Sequence, residues 1–103
     1  MDKKAVIKIA EKFATEINKH FDCESVFLFG SYAKGSFHKD SDIDIAIILK
    51  GYDNLLNIQL ELMKLRRKID SRIEPHPIRL NDFNKNNPIF NEIVSSGEKI
   101  CIE

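Results

Sequence analysis

The segment with the clearest chemical content is Asp42-Ile43-Asp44, which opens a run of otherwise apolar, β-favouring residues. Alternate residues of a strand point to the same face, so these two carboxylates would project side by side. Like charges held that close repel each other, and burying either one unpaired is costly. A divalent cation removes the conflict, and Mg²⁺ is the natural candidate because it prefers carboxylate oxygens, waters and phosphates. The competing interpretation is an exposed strand start at which both carboxylates are merely solvated.

The polar loop before this pair, residues 30–41, favours the metal interpretation. Gly30-Ser31 directly follows an apolar run, and a glycine there lets the backbone approach a ligand closely. Backbone amides of the next turn, together with the Ser31 hydroxyl, could cradle phosphate oxygens. Lys34 and Lys39 lie in the same loop as further phosphate contacts. Gly-Ser after a strand, followed by Asp-x-Asp at the next strand, therefore predicts a site for a metal-bound polyphosphate.

Gly30-Ser31, ten intervening residues and Asp42-Ile43-Asp44 resemble the signature of the DNA polymerase beta-like nucleotidyltransferase superfamily. The loop also fits the usual family pattern at Ala33, Gly35, Ser41 and Ile43. The size is similar to that of the minimal nucleotidyltransferases, which are often encoded beside a small helical HEPN protein as an antitoxin–toxin pair. The resemblance runs from the Phe27-Leu28-Phe29 strand to the region of Gly97 and implies the nucleotidyltransferase fold.

This resemblance implies a role for each matching residue. Asp42 and Asp44 are the expected metal-binding and catalytic carboxylates, shared between two Mg²⁺ ions. The family adds a third carboxylate from a later strand, usually an aspartate, and Glu74 occupies the best position for it here. The expected nucleotide-binding residues are Gly30, Ser31, Lys34, Lys39 and Ser41.

These roles predict an enzyme that moves a nucleoside monophosphate, AMP by the resemblance, from a nucleoside triphosphate such as ATP to an acceptor hydroxyl. The resemblance suggests that the acceptor lies on a partner protein of HEPN type. The alternative is a catalytically degenerate module that inhibits such a partner by binding, and glutamate in place of the usual third aspartate favours it. A stand-alone enzyme for small molecules or tRNA is a weaker hypothesis, because related enzymes carry additional domains.

Three ring residues near these motifs have two interpretations each. His76 has the same strand parity as Glu74 and is a candidate to line the site, the alternative being a packed histidine at a strand edge. His38 lies in the loop, where contact with a nucleotide competes with a solvated position. Tyr32 is predicted to pack in the interior, the alternative being a ring that lies near the nucleotide.

Three strands are needed to position these residues, at 25–29, 42–49 and 72–79. The strand at 42–49 has two faces, one bearing Ile43, Ile45, Ile47 and Leu49 and the other bearing Asp42, Asp44, Ala46 and Ile48. Pro75 and Pro77 cannot donate hydrogen bonds to a ladder, so the strand at 72–79 is predicted at an edge of the sheet.

Helices are expected to cover this sheet. Apolar residues recur at helical spacing over 2–21, with Asp2 as N-cap, and over 53–70, with Asp53 or Asn54 as N-cap. A short turn is expected after Gly30-Ser31. A further helix is predicted to start at Asn87-Pro88 and to end at a left-handed Gly97, before a last strand at 99–102. The fold class is α/β (α+β), with a small mixed sheet of three to four strands covered by helices.

The composition is that of one domain spanning residues 1–103, with 43% hydrophobic residues. Sixteen basic and sixteen acidic residues give a net charge of zero, which disfavours a nucleic-acid partner. The N-terminal pattern is unlike a signal peptide, and no apolar run approaches the roughly 20 residues needed to span a membrane, so a cytoplasmic location is predicted. Cys23 and Cys101 are expected to be reduced and mostly buried. A domain this small can leave apolar helix surface uncovered, so a homo-oligomer is also considered.

Overall fold

Four strands form the sheet in the computed structural model, which describes residues 2–101. The strands are β1 (Cys23–Phe29), β2 (Ile43–Leu49), β3 (Ile73–Arg79) and β4 (Glu98–Ile100). Their order is β3-β2-β1-β4, with β1 antiparallel to both neighbours and β2 parallel to β3. This mixed sheet confirms the predicted fold class.

Helices cover both faces of the sheet. They are α1 (Lys3–His20), α2 (Ser31–Lys34), α3 (Leu55–Arg66) and α4 (Phe90–Ser96), with a 3₁₀ turn at Leu80–Asp82. The larger core lies between α1, α3 and the sheet face that carries Ile43, Ile45 and Ile47. The opposite face carries Ala46 and Ile48, which pack with Ile93 of α4. The predicted division of β2 into two faces is therefore confirmed.

The helix starts follow the predicted capping chemistry. Asp2 accepts a hydrogen bond from the Ala5 amide at 2.9 Å, and Asn54 accepts one from the Asn57 amide at 3.0 Å. Each cap satisfies one of the amides that an α-helix leaves unpaired at its start. The predicted helix over 53–70 was too long, because α3 ends at Arg66 and the chain then tightens into a turn.

Strand β3 lies at the edge of the sheet, as its prolines predicted. Its outward-facing carbonyls are covered by side chains of α3: the Ile73 carbonyl accepts from Arg66 at 2.8 Å, and the Pro75 carbonyl from Gln59 at 3.2 Å. A proline cannot donate to an additional strand, so this edge is protected against pairing with another chain.

The C-terminal part departs from two predictions. Helix α4 begins at Phe90, and Pro88 lies in the preceding turn, where the Asn87 side chain accepts from the Ile89 amide at 3.0 Å and competes with helix formation. Gly97 has a φ of −73°, so it is not left-handed. Glycine is needed there because a Cβ would overlap the Ile93 carbonyl. Strand β4 ends at Ile100, and the predicted end of this strand at residue 102 lies outside the described residues.

Within residues 2–101, no helix combines the length and the apolar character that crossing a membrane requires.

Candidate nucleotide and metal site

Asp44 is the second residue of β2 and lies partly buried at the centre of the candidate site. Its position in the sheet is opposite Phe29 of β1 and beside Glu74 of β3. Asp42 is exposed and precedes the strand, so the prediction that it opens β2 is corrected by one residue. The ladder starts at Ile43, whose amide donates to the Arg72 carbonyl at 2.9 Å.

Glu74 lies directly beside Asp44, because β2 and β3 pair in parallel with these two residues in register. Adjacent strands lie about 4.8 Å apart, and residues in register point to the same face. The sheet therefore brings together two of the three predicted carboxylates. Within residues 2–101, however, no three acidic, histidine or cysteine side chains are already gathered in a geometry that holds a metal ion.

Gly30 directly follows β1 and brings the predicted phosphate loop against Asp44. Its φ of +76° is a left-handed conformation that side chains rarely adopt, and a Cβ at this position would overlap the Asp44 Oδ2 oxygen. Glycine is required here for both reasons. The start of α2, with Ser31 as its first residue, is therefore adjacent to the carboxylate that was predicted to bind metal.

His76 contacts the Oδ1 oxygen of Asp44, whereas Gly30 lies against Oδ2. The His76 Nε2 lies 3.2 Å from Asp44 Oδ1. The Phe29 ring meets the imidazole edge-on with a centroid distance of 5.0 Å, so the imidazole is supported from β1 as well. His76 was considered either as a residue that lines the site or as a packed histidine at a strand edge, and here it contacts both Asp44 and the Phe29 ring. Phe29 was not predicted as a site residue, and only its position at the end of the strand that leads into Gly30 could have indicated it.

The predicted phosphate contacts lie in different environments. Lys34 pairs with Glu92 of α4, with Nζ 3.0 Å from Oε1. Lys39 is exposed. Ser41 is only 7% exposed, and its hydroxyl accepts from the His38 amide at 2.9 Å. Ser41 therefore orders the loop in this structure, and its contact with a nucleotide stays a prediction.

The loop itself is held by packing at its start. Tyr32 is buried, as predicted, and its ring stacks on Phe37 with a centroid distance of 4.6 Å. Gly35 ends α2 with a φ of +82°, and nothing in the described structure lies within 4 Å of the Cβ it lacks. The left-handed conformation of Gly35 turns the chain toward His38 and on to β2.

A charged turn anchors the start of β2 from the other side. Asp70 accepts from the Arg72 side chain at both of its oxygens, at 3.0 and 2.6 Å, and from the Arg72 amide at 2.9 Å. The side-chain hydrogen bond from Arg72 holds the pKa of Asp70 below its ordinary value of 3.8. Because the Arg72 carbonyl binds the Ile43 amide, this turn also fixes the backbone next to Asp42.

The two cysteines lie outside this site and are free thiols. Cys23 is partly buried, and burial raises its pKa from 9.0 to about 11. Cys101 is exposed, so the prediction of two mostly buried thiols was wrong for Cys101. Cys101 is exposed because it follows Ile100, the last residue of β4, and so lies beyond the packed strand.

The donor chemistry of the site fits Mg²⁺. Asp42, Asp44 and Glu74 offer only carboxylate oxygens, which are the protein ligands that this hard cation prefers. Gly30 keeps the loop backbone in contact with Asp44, so a polyphosphate bound to the loop would lie next to these oxygens. The arrangement is suited to phosphoryl-transfer chemistry, in which positioning and charge neutralisation provide most of the acceleration.

Known proteins are similar to this chain in sequence and in fold. The protein adenylyltransferase MntA of Shewanella oneidensis is 30% identical over 76 residues, which cover 73% of this chain and 51% of the relative. The chain spans about half the length of the curated relatives that it matches, 51% of one and 46% of another.

Solved structures show the same fold at lower identity. A toxin–antitoxin complex with AMP-PNP superposes with a TM-score of 0.63 at 22% identity, covering all of this chain and 75% of the other. A tri-AMPylated Shewanella oneidensis HEPN toxin in complex with an MNT antitoxin gives a TM-score of 0.52 at 19% identity, covering 98% and 70% of the two chains. The model of the polymerase beta nucleotidyltransferase family matches residues 11–103, and the chain belongs to this family.

Proposed function

We propose that this chain transfers AMP from ATP to a hydroxyl group on a partner protein of HEPN type. The observation that carries the proposal is the contact of Gly30 with Asp44, which joins the phosphate loop to a carboxylate that has Glu74 in register beside it. A glycine that is needed both for its φ and for its missing Cβ is what a close approach of loop and carboxylate requires.

The comparisons support this choice of substrate and acceptor. The relative from Shewanella oneidensis is named a protein adenylyltransferase. One structural neighbour binds AMP-PNP, and another contains an AMPylated HEPN toxin. These properties belong to those proteins, and their extension to this chain is our proposal.

In the proposed reaction, Asp42, Asp44 and Glu74 would hold two Mg²⁺ ions, and Ser31 and Lys39 would bind the β- and γ-phosphates. The ions would neutralise charge on the α-phosphate and on the leaving pyrophosphate. His76 keeps Asp44 in position through its hydrogen bond to Oδ1. The acceptor oxygen bonds to the α-phosphorus, the bond from that phosphorus to the bridging oxygen breaks, and pyrophosphate leaves. Glu74 is the proposed base that takes the proton of the acceptor hydroxyl.

The test incubates the purified chain with α-labelled ATP, Mg²⁺ and a purified HEPN protein. Label attached to the HEPN protein is the expected result, and Asp42→Asn, Asp44→Asn and Glu74→Gln should each abolish it. Asp40→Asn serves as the matched control, because it removes an exposed carboxylate from the same loop. Absence of label at every Mg²⁺ concentration, with the HEPN protein shown to bind the chain, would overturn the proposal.

A second candidate is a binding module that blocks its partner without catalysis. The observation that favours it is the glutamate at position 74, where the family usually has an aspartate. In this case Asp42→Asn would leave inhibition of the HEPN protein unchanged and no label would transfer. Loss of both label and inhibition in Asp42→Asn would exclude the binding-module alternative.

A further inference from the structure

The carboxylate of Asp42 lacks the side-chain support that Asp44 receives. His76 fixes Asp44, with its Nε2 3.2 Å from Oδ1. Asp42 is exposed, and within residues 2–101 its carboxylate forms no hydrogen bond and no ion pair. A metal ligand binds more tightly when its geometry is fixed before the metal arrives. The position of Asp42 is therefore set by its backbone, and the residues on either side decide how firmly that backbone is held.

A turn closed by Ser41 holds the chain just before Asp42. The Ser41 amide donates to the His38 carbonyl at 3.0 Å, and the Ser41 hydroxyl oxygen accepts from the His38 amide at 2.9 Å. Ser41 is buried, although His38, Lys39 and Asp40 are exposed. Asp42 therefore follows directly from a residue that is packed and hydrogen-bonded twice to the same backbone unit.

A hydrogen bond from β2 to the residue before β3 holds the chain just after Asp42. Ile43 is fully buried, and its amide donates to the Arg72 carbonyl at 2.9 Å. The peptide that joins Asp42 to Ile43 is planar, so a bond at the Ile43 amide also fixes the plane that begins at the Asp42 Cα. The orientation of Asp42 therefore depends on the position of the Arg72 carbonyl.

Asp70 fixes the backbone that carries this carbonyl. Its Oδ1 accepts from the Arg72 amide at 2.9 Å, and its two oxygens accept from the Arg72 guanidinium at 3.0 and 2.6 Å. Arg66 closes the same turn, because its carbonyl accepts from the Asp70 amide at 2.8 Å and its guanidinium donates to the Ile73 carbonyl at 2.8 Å. Hydrogen bonds to a charged carboxylate are stronger than neutral ones, so this turn is firmly held.

We propose that Ser41 and Asp70 are positioning residues that fix the backbone of Asp42 on its two sides, so that its carboxylate and that of Asp44 can share a divalent cation. The inference rests on the proposed function, which assigns the metal to these two aspartates. It gives Ser41 a role other than the predicted contact with the nucleotide. Neither Ser41 nor Asp70 would touch the metal, and both would act through Asp42 alone.

Titration of the metal-free chain with Mn²⁺, without nucleotide or partner, tests the proposal, with the free ion measured by electron paramagnetic resonance. Ser41→Ala and Asp70→Asn should each weaken Mn²⁺ binding about tenfold, which is the lower end of the range usual for groups that hold metal ligands in place.

Two matched controls remove similar groups far from Asp42. Thr15→Ala removes a hydroxyl that donates to the Glu11 carbonyl at 2.9 Å within α1. Asn54→Ala removes the N-cap of α3, so it lowers stability through a lost side-chain hydrogen bond. Both controls should leave Mn²⁺ affinity unchanged, and circular dichroism verifies that every variant is folded.

A double-mutant cycle shows whether the two residues act through Asp42. In the Asp42→Asn background, Ser41→Ala and Asp70→Asn should cause no further loss of Mn²⁺ affinity, because the ligand that they position has been removed. Equal losses in both backgrounds would overturn the proposal, as would affinities that match those of the controls. Direct contact of Ser41 with the nucleotide would instead raise the KM for ATP and leave Mn²⁺ binding unchanged, and this result would also overturn it.

The outcomes separate this inference from the proposed function. Weaker Mn²⁺ binding by Ser41→Ala and Asp70→Asn, together with no AMP transfer by the unmodified chain, would support the positioning role and overturn the transfer reaction. AMP transfer by both variants, with unchanged Mn²⁺ affinity, would support the transfer reaction and overturn the positioning role. A chain that binds no Mn²⁺ would overturn the metal site and the positioning role together.

Discussion

His76 Nε2 lies 3.2 Å from Asp44 Oδ1, so a side chain of β3 fixes one oxygen of the carboxylate on β2. The two residues are 32 positions apart in sequence and become neighbours only through the parallel pairing of their strands. Phe29 supports the imidazole from β1, so three adjacent strands orient this one carboxylate. Asp44 is the proposed metal ligand, and groups that orient metal-binding residues commonly tune the affinity for the metal.

Replacing His76 should therefore weaken metal binding more than it weakens the fold. For His76→Ala we expect a loss of roughly 10- to 100-fold in Mg²⁺ affinity or in activity, as is usual for supporting residues of metal sites. The measurements are the Mg²⁺ concentration that gives half-maximal AMP transfer, and direct binding of Mn²⁺ followed by electron paramagnetic resonance.

His76→Gln provides the matched control, because glutamine keeps a hydrogen-bond donor at a similar reach and should recover part of the affinity. A purely structural role would instead lower the free energy of unfolding and leave Mn²⁺ binding unchanged. That result would remove His76 from the site.

Gly30→Ala should be more damaging than any other small change in the phosphate loop. The substitution forces a side chain into a φ of +76°, at a cost of order 1–3 kcal/mol, and drives its Cβ into Asp44 Oδ2. We expect both lower stability in urea denaturation and a loss of AMP transfer, because the displaced carboxylate is the proposed metal ligand.

Gly35→Ala separates the effect of backbone strain from the effect of the overlap with Asp44. Gly35 has a similar φ of +82°, but nothing in the described structure lies within 4 Å of its missing Cβ. It should lose stability through backbone strain alone, and transfer should persist. Equal activity in the two alanine variants would show that the contact with Asp44 is irrelevant to the reaction.

The local features of this fold were predictable, and the long-range pairings were not. The caps at Asp2 and Asn54, and the edge position of the strand with Pro75 and Pro77, follow from chemistry within a few residues. The register of Asp44 with Glu74 depends on parallel pairing across a helix, which no local pattern encodes. Gly97 was predicted to be left-handed because it follows a helix, but its actual constraint is a contact with the Ile93 carbonyl.

The two thiols should differ in reactivity. Burial raises the pKa of Cys23 to about 11, so its thiol stays protonated at pH 8, whereas Cys101 is exposed. One equivalent of a disulfide reagent should react rapidly with the folded chain, and Cys101→Ser should remove this fast phase. Rapid reaction of Cys23 in that variant would contradict the burial.

The raised pKa of Cys23 also predicts how the stability of the fold changes at high pH. Between about pH 9 and 11, the unfolded chain loses the Cys23 proton while the folded chain retains it. Stability from this group is therefore fully present below pH 9 and is lost as the pH rises through about 11. Cys23→Ser should show less of this decline in chemical denaturation across that range.

Asp70→Asn should destabilise the chain by about 1 kcal/mol near neutral pH, because it removes charge-assisted hydrogen bonds to Arg72. The pKa of Asp70 is held below 3.8, so its stabilising effect is present above that pH and is lost as the pH falls through the folded value. The difference in the free energy of unfolding between Asp70→Asn and the unmodified chain should therefore become smaller at acid pH. Denaturation curves from pH 7 downward measure it, with Asp22→Asn as an exposed control. A difference that stays constant with pH would argue against this account.

Lys34 pairs with Glu92, whose Oε1 lies 3.0 Å from the Lys34 Nζ, and this carboxylate competes with a bound phosphate for the charge of the lysine. Glu92→Gln removes the competing charge and should lower the KM for ATP, whereas Lys34→Met should raise it. Glu61→Gln, which removes a similar carboxylate paired with Lys64 on α3, should change neither. The measurement is the initial rate of AMP transfer at varied ATP concentration. If Lys34→Met leaves KM unchanged, the pair with Glu92 is a structural link between α2 and α4, and Lys39 becomes the remaining lysine of the loop to bind the triphosphate.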